Sequence, residues 1–199
     1  APPQQMGDVP LLRRRTDLGR FLEQRQPRGL GVVLGVGRGD FAVRLLEDWA
    51  SVQGIYLVDP YIHIFRGYND PANVDDREHQ KIFEDLRNRL QPFDGRYVFM
   101  RDFSYSFAES YQRGAAGMGG PPTFVYIDNN HAEEAVARDL EAWWPLLPGG
   151  GCLAGSAYAD DPGGHIGVRT AVDRFSKRQR VKVYLTHEDM PPSWFIFKL

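Results

Sequence analysis

The chain reads as an α/β protein: a single Rossmann-like domain with a seven-stranded, mostly parallel sheet, an antiparallel last strand, and helices on both faces. Three observations predict this. Apolar runs of strand character alternate with segments of helical period, the pattern of a parallel sheet covered on both sides. The first apolar run ends in the glycine-spaced turn Gly35-Val36-Gly37-Arg38-Gly39, and the second ends in Asp59. The last two runs are joined by a segment too short for a crossover helix, so they should pair antiparallel at one edge.

Taken in order, residues 1–10 are rich in Pro and Gln and are expected to be mobile. The expected organisation is a flexible segment over 1–15 and one domain over 16–199. A first helix starts at Thr16, with its hydroxyl as N-cap, and runs to Gln26, where Pro27 and Gly29 stop it. Strands are expected over 31–34, 55–58, 97–100, 124–127 and 152–154, with closing strands over 181–185 and 194–197. Helices are expected over 41–49, 77–90, 105–113, 132–144 and 168–177. In the fourth of these, Val136, Leu140, Trp143 and Trp144 share a helical face and belong to a core. The glycine-rich stretch over 114–122 reads as a flexible loop, because a strand follows it at once. The connection over 60–80 is unusually long and leaves the carboxyl end of a strand, where lids and binding loops tend to lie.

Composition narrows the function classes. Hydrophobic residues at 42% and charged residues at 25% of 199 positions are ordinary globular values. A net charge of −2 gives no general attraction to nucleic acid or to an anionic membrane, so neither is an expected partner. The cluster Arg13-Arg14-Arg15 reads as a solvated face. Cys152 is the one cysteine and lies in an apolar run, which makes it a core residue and excludes an internal disulfide. The longest apolar stretches fall short of a membrane span, and no charged-then-apolar signal opens the chain. A soluble, intracellular protein is expected. The start at Ala1 without Met leaves open a removed targeting segment. Oligomeric state is not legible.

Two blocks carry chemistry. Three glycines let the backbone of the first turn bend tightly and let a ligand approach without a Cβ in the way. The helix that starts near Asp40 offers free N–H groups at its positive end. The Asp59 carboxylate can accept both hydroxyl hydrogens of a ribose. Together these form a nucleoside-binding crevice at the carboxyl edge of the sheet. Asp40 stands where a dinucleotide fingerprint wants its third glycine, and no Gly-Lys-Ser/Thr follows, so a phosphate is not the indicated ligand. The second block, Asp128-Asn129-Asn130-His131, falls at the end of a central strand beside that crevice. There Asp128 is a candidate crevice-floor acid, Asn130 a substrate contact and His131 a general base, since an imidazole of pKa about 6.5 suits proton removal from a hydroxyl. The plainer alternative makes Asp128 or Asn129 a helix N-cap. From the long loop, Tyr61, His63 and Tyr68 are candidate substrate contacts.

These blocks resemble class I S-adenosylmethionine-dependent methyltransferases over residues 29–199. The resemblance implies a methyltransferase domain. It implies cofactor-binding roles for Gly35, Val36, Gly37 and Gly39, for Asp59 and Pro60, for Asp102 and Phe103 beside the adenine, and for Asp128. Leu146-Leu147-Pro148-Gly149-Gly150-Gly151 is similar to the family's turn before the fifth strand. Tyr126-Ile127-Asp128 with His131, Glu133, Glu134, Asp139-Leu140 and Trp144 resembles a small branch related to macrocin O-methyltransferase-like enzymes. Two positions depart from the family: Val33 stands where an acid usually anchors the cofactor's ammonium, and Gly155-Ser156-Ala157-Tyr158 replaces Gly-His-Asp-Tyr. A metal-free site is therefore favoured over one in which Asp128, Asp160 and Asp161 hold Mg²⁺, and the proton falls to His131 or to Tyr158. The favoured function is O-methylation of a small-molecule or sugar hydroxyl. The alternatives are a nicotinamide-dependent oxidoreductase and a nucleoside-binding module without catalysis.

Overall fold

The computed structural model describes residues 9, 11–68, 70–114 and 119–199. Seven strands form one sheet in the order β3-β2-β1-β4-β5-β7-β6. They are β1 (Leu30–Leu34), β2 (Gly54–Val58), β3 (Tyr97–Met100), β4 (Phe124–Ile127), β5 (Cys152–Gly155), β6 (Tyr184–Leu185) and β7 (Trp194–Phe197). Neighbours among β1–β5 run parallel, and β7 lies antiparallel between β5 and β6. The helices are α1 (Leu18–Arg25), α2 (Asp40–Asp48), α3 (Asp76–Leu90), α4 (Ser104–Gln112), α5 (Glu133–Trp143) and α6 (Val168–Gln179).

Strand alternation divides the core into two layers. Val33, Ile55, Leu57, Phe124 and Tyr126 face one side, where α1, α2 and α3 cover them with Leu22, Leu45 and Leu86. Val32, Leu34, Tyr56, Val125 and Ile127 face the other, under Phe107 of α4, Trp143 of α5 and Phe175 of α6. Each layer thus has three helices, and the strands between them are buried at every position in β1, β2, β4, β5 and β7. Cys152 is fully buried, as its apolar run implies. Val33 is buried to 1% exposure in the core, where a carboxylate would be unsolvated.

The structure differs from the sequence expectations at several ends. Thr16 does not cap a helix. It lies inside a 3-10 turn over Arg15–Asp17, closed by the Arg14 N–H donating to Asp17 Oδ2 at 3.0 Å. The last parallel strand shortens to Tyr184–Leu185, and the expected start at 181 is not strand. Residues 11–15, expected to be flexible, pack against the domain: Leu12 is buried, and the Arg13 carbonyl accepts from the N–H groups of His187 and Glu188 at 3.1 and 2.9 Å. The expected mobile segment over 1–10 lies, except for residue 9, outside the described residues, as do 115–118 of the loop over 114–122. Among the described residues no helix is long and apolar enough to cross a membrane.

Candidate active site

The glycine turn sits where β1, β2 and β4 end together. Gly35 adopts φ +82°, and a Cβ there would lie 2.2 Å from the Asp128 carbonyl oxygen. The close passage of the first turn over the end of β4 therefore requires glycine. Gly39, at φ +80°, caps α2 against Leu86, whose side chain would meet a Cβ at 2.1 Å. At Gly37 a Cβ would meet nothing within 4 Å, so that position faces open space.

Asp59 ties the turn to the next loop. Its Oδ2 accepts from the N–H groups of Val36 and Gly37 at 2.9 and 3.1 Å, and its Oδ1 accepts from Tyr61 N–H at 2.9 Å. Three of about four carboxylate lone-pair positions are thus engaged. The expectation that this group accepts both hydroxyls of a ribose is narrowed: one position is free, and a second requires release of a turn N–H. Tyr61, at φ +48°, completes the staple by donating its hydroxyl to the Gly37 carbonyl at 2.8 Å. Burial, then the Asp59 charge, hold that phenol far above its ordinary pKa, so it stays a donor.

The end of β3 supplies Asp102, which accepts from its neighbour Phe103 N–H at 2.8 Å and from the Ser106 hydroxyl at 3.1 Å. Behind it lies a small buried network. The Asn129 amide donates to Ser104 Oγ at 3.0 Å and to Asp139 Oδ2 at 2.8 Å, while Ser104 donates to Asp139 Oδ1 at 2.6 Å. Burial raises the Asp139 pKa against these bonds. The network joins α4 to the end of β4 and to α5, which follows it in the chain.

Asp128 is the other node. Its Oδ2 accepts from Arg15 Nη1 at 2.9 Å, and its Oδ1 accepts from the Ser156 hydroxyl. His131 Nε2 lies 3.0 Å from Ser156 Oγ and 3.6 Å from Asp128 Oδ1. The single Ser156 proton goes to Asp128, so Nε2 must donate to Ser156, which leaves Nδ1 as the nitrogen with a free lone pair. Nδ1 faces Asp70 Oδ2 at 3.9 Å across the long loop. Neither Asp128 nor Asn129 caps α5. Their side chains are committed to these nodes, and Asn130 Oδ1 accepts instead from Ala132 N–H at 3.0 Å.

Between the nodes lies a cavity of about 700 Å³. Gly35, Gly37, Asp59 and Pro60 form one end, Asp102 and Phe103 another, and Asp128 and Asn130 the floor. The loop between β2 and α3 forms the outer wall with Tyr61 and Tyr68. Asn130 pins this wall by donating to the Gly67 carbonyl at 3.1 Å.

Five expected site residues lie off the cavity wall. Val36 contributes its N–H to Asp59, and Gly39 serves as helix cap. His63 supports the loop, its N–H donating to Asp76 Oδ1 at 2.6 Å and its Nδ1 lying 3.1 Å from the Val74 carbonyl. His131 has its Nε2 3.6 Å from Asp128 Oδ1. Tyr158 is turned away: its hydroxyl donates to Asp173 on α6, and burial, then that carboxylate, push its pKa up to about 12. That placement corrects Tyr158 as a proton acceptor. Sequence reasoning missed Arg15, expected on a solvated face, and did not pair Ser104 with Asp139. An arginine near the N-terminus and a helical Asp carry no local signal of where they dock.

The cation expectation can be tested on the donor set. Asp160 accepts from Arg169 and Thr170, and Asp161 accepts from Ile166 N–H at 2.6 Å. Among the described residues no group of three or more His, Cys, Asp or Glu side chains converges as a metal ion needs.

A family model for a methyltransferase domain matches residues 32–156. The chain belongs to this family and is a class I S-adenosylmethionine-dependent methyltransferase. The nicotinamide alternative is thereby set aside, in line with Asp40 at the place of the third fingerprint glycine. No curated protein matches the chain. Solved structures share its fold. A Clostridium thermocellum protein described as an rRNA methylase is 13% identical with a TM-score of 0.63, over 96% of this chain and 100% of that one. A Staphylococcus aureus protein described as a caffeoyl-CoA O-methyltransferase is 11% identical with a TM-score of 0.65, over 96% and 86%. A Bacillus cereus O-methyltransferase in complex with SAH is 12% identical with a TM-score of 0.60, over 92% and 80%.

Proposed function

We propose that the cavity takes S-adenosylmethionine together with a small molecule whose hydroxyl is methylated. The observation that carries this reading is the cavity itself: about 700 Å³, with the glycine turn and Asp59 at one end and a wall pinned over it by Asn130. Its donor and acceptor groups fit the cofactor. Gly37 leaves open space where a ligand can approach the turn, the free lone pair of Asp59 suits a ribose hydroxyl, and Asp102 with Phe103 offers an edge for the adenine. Val33 takes no part, so the ammonium must be held by groups of the turn and of the β4 end. When bound, the cofactor supplies a methyl group on a sulfonium that is already electrophilic.

The chain's own residues then align, exclude water and accept a proton. The wall formed by the loop between β2 and α3 screens the cleft from solvent. His131 is the proposed base; because it lies off the cavity wall, it takes the acceptor's proton at Nδ1 through one bridging water while Nε2 stays bonded to Ser156. In this position Nδ1 lies 3.9 Å from Asp70 Oδ2 and Nε2 lies 3.6 Å from Asp128 Oδ1. Arg15 keeps Asp128 oriented. A cavity walled in this way fits a small acceptor better than a polymer, and the net charge of −2 gives no pull on a phosphate backbone.

Calorimetric titration with S-adenosylhomocysteine tests the cofactor placement. Asp59→Ala removes both the ribose partner and the staple of the turn, and it should weaken binding by roughly tenfold or more, the size of one to two hydrogen bonds to a charged group. Equal affinity in the variant and the wild-type protein would sink the assignment of this crevice.

A further inference from the structure

The cavity floor is held from outside the cavity. Asp128 lines it, and Arg15, which does not, donates Nη1 to Asp128 Oδ2 at 2.9 Å. The pair is only partly buried, with the Arg15 side chain 38% exposed and that of Asp128 23% exposed. An ion pair so placed fixes little geometry by itself, because it must order a long side chain near solvent. Here the surroundings do the ordering. The guanidinium lies 5.8 Å from the centre of the Phe41 ring, and Phe41 stacks on Tyr126 of β4 at 4.1 Å. Tyr126 is fully buried, two residues before Asp128.

The backbone of Arg15 is fixed by the turn between β6 and β7. Its N–H donates to Asp189 Oδ2 at 2.7 Å, and the Thr186 hydroxyl donates to the same oxygen at 2.8 Å. Thr186 and Ser193 are buried and close that turn. Ser193 N–H donates to Thr186 Oγ1 at 2.9 Å, and Thr186 N–H donates to the Ser193 carbonyl at 2.9 Å. The buried Leu12 and the Arg13 carbonyl extend the clasp, the latter accepting from His187 and Glu188. Arg13 and Arg14 both pair with Glu188 on this turn, at 3.4 and 3.1 Å. Arg15 crosses instead to Asp128. Packing of the segment alone does not account for a third cation carried to the cavity floor.

We propose that residues 11–15 are a strap belonging to the active site, with Asp189 and Arg15 as positioning residues. Asp189 fixes the strap, the strap fixes the guanidinium, and the guanidinium fixes Asp128. Asp128 Oδ1 accepts from the Ser156 hydroxyl, and Ser156 Oγ accepts from His131 Nε2 at 3.0 Å. The imidazole is therefore set by a chain of contacts that begins at the turn between β6 and β7. The inference rests on the roles given above to Asp128 and His131. It goes beyond them in making Asp189, which lies off the cavity wall, a determinant of how the base is held.

Hydrogen exchange read by NMR at one pH, without ligand, tests this. In the wild-type protein the His131 Nε2–H and the amides of His187 and Glu188 should all be protected. Arg15→Met keeps the reach of the side chain and removes its donors. It should leave the His187 and Glu188 amides protected and speed exchange of the Nε2–H by roughly tenfold or more, the size of one lost hydrogen bond to a charged group. Asp189→Ala should speed all three. Asp189→Asn keeps an acceptor oxygen for the Arg15 N–H and should speed none, which separates the hydrogen bond from the charge. An Nε2–H that exchanges in Arg15→Met or in Asp189→Ala as it does in the wild-type protein would overturn the proposal. So would a fast Nε2–H in Asp189→Asn or in the wild-type protein itself. If Asp189→Ala fails to fold, Arg15→Met and Asp189→Asn still decide. Calorimetric titration of the wild-type protein with S-adenosylhomocysteine keeps the two readings apart. Absence of binding would overturn the reading of the cavity, and the strap's part in a reaction with it, whereas binding together with unchanged exchange in the variants would overturn the strap alone.

Discussion

Gly35 shows how a single residue sets the geometry of the cleft. Its backbone is left-handed, and the space where a Cβ would point holds the Asp128 carbonyl oxygen. Gly35→Ala should therefore cost about 2–4 kcal/mol of stability, from strain at positive φ plus overpacking, read by urea denaturation. A cost within about 0.5 kcal/mol, the range of an ordinary surface substitution, would show that the turn can move off the β4 end. This position was legible because glycine spacing after an apolar run has few other causes. Arg15 was not. The same three arginines in a row serve different ends: Arg13 and Arg14 lie near Glu188, while Arg15 turns inward to Asp128 and lies over the Phe41 ring. Which of them turns inward is decided by the docking of residues 11–15 on the turn at 187–189, a contact far away in sequence.

Among the elements, the loop between β2 and α3 is the least regular and the most organised by side chains. Asn73 is its hub, accepting from Ile64 N–H at 2.8 Å and donating to the carbonyls of Ile64 and Tyr68 at 2.8 and 3.2 Å. The Asp75 side chain caps α3 at the loop's far end by accepting from Glu78 N–H at 2.8 Å. A loop closed by its own side chains moves as one body. Asn73→Ala should remove roughly 1 kcal/mol per lost bond and speed hydrogen exchange at the Ile64 amide, with the core strands unaffected. Unchanged exchange at Ile64 would show that the cavity wall is held elsewhere. The loop's existence and its place at a strand's carboxyl end were read from its length. Its hub was not, because an Asn in a polar loop looks the same whether it bonds to solvent or to the backbone. Helix and strand positions were recovered far better, since alternation and helical period reflect which face each element buries. The misplaced ends, Thr16 and the strand expected from 181, lie where capping or edge pairing decides and periodicity does not.

Across the whole molecule, one buried charge should mark the pH dependence of stability. Burial holds the Asp139 carboxyl above its ordinary value of 3.8, so the folded state binds that proton more tightly than the unfolded chain. The resulting stabilisation is complete at low pH and is lost as pH rises through the folded value. Asp139→Asn removes the titration, so the variant should gain stability relative to wild type from about pH 4 upward, levelling off once the wild-type acid is ionised. Urea unfolding of both proteins from acid to neutral pH checks this, and a difference that stays flat would rule it out. The sequence alone determined the layered α/β architecture, the glycine turn, the acid closing the second strand and the acid closing the fourth. Each is written in local periodicity or in short spacing, because strand, turn and helix are set by neighbouring residues. Only the tertiary structure decided that Asp59 is largely spent on its own turn, that Tyr158 faces α6, and that Arg15, Ser156 and Asp139 complete the nodes. Those are contacts between segments brought together by the burial of two apolar layers, and burial sets no mark on the polar residues that it happens to bring face to face.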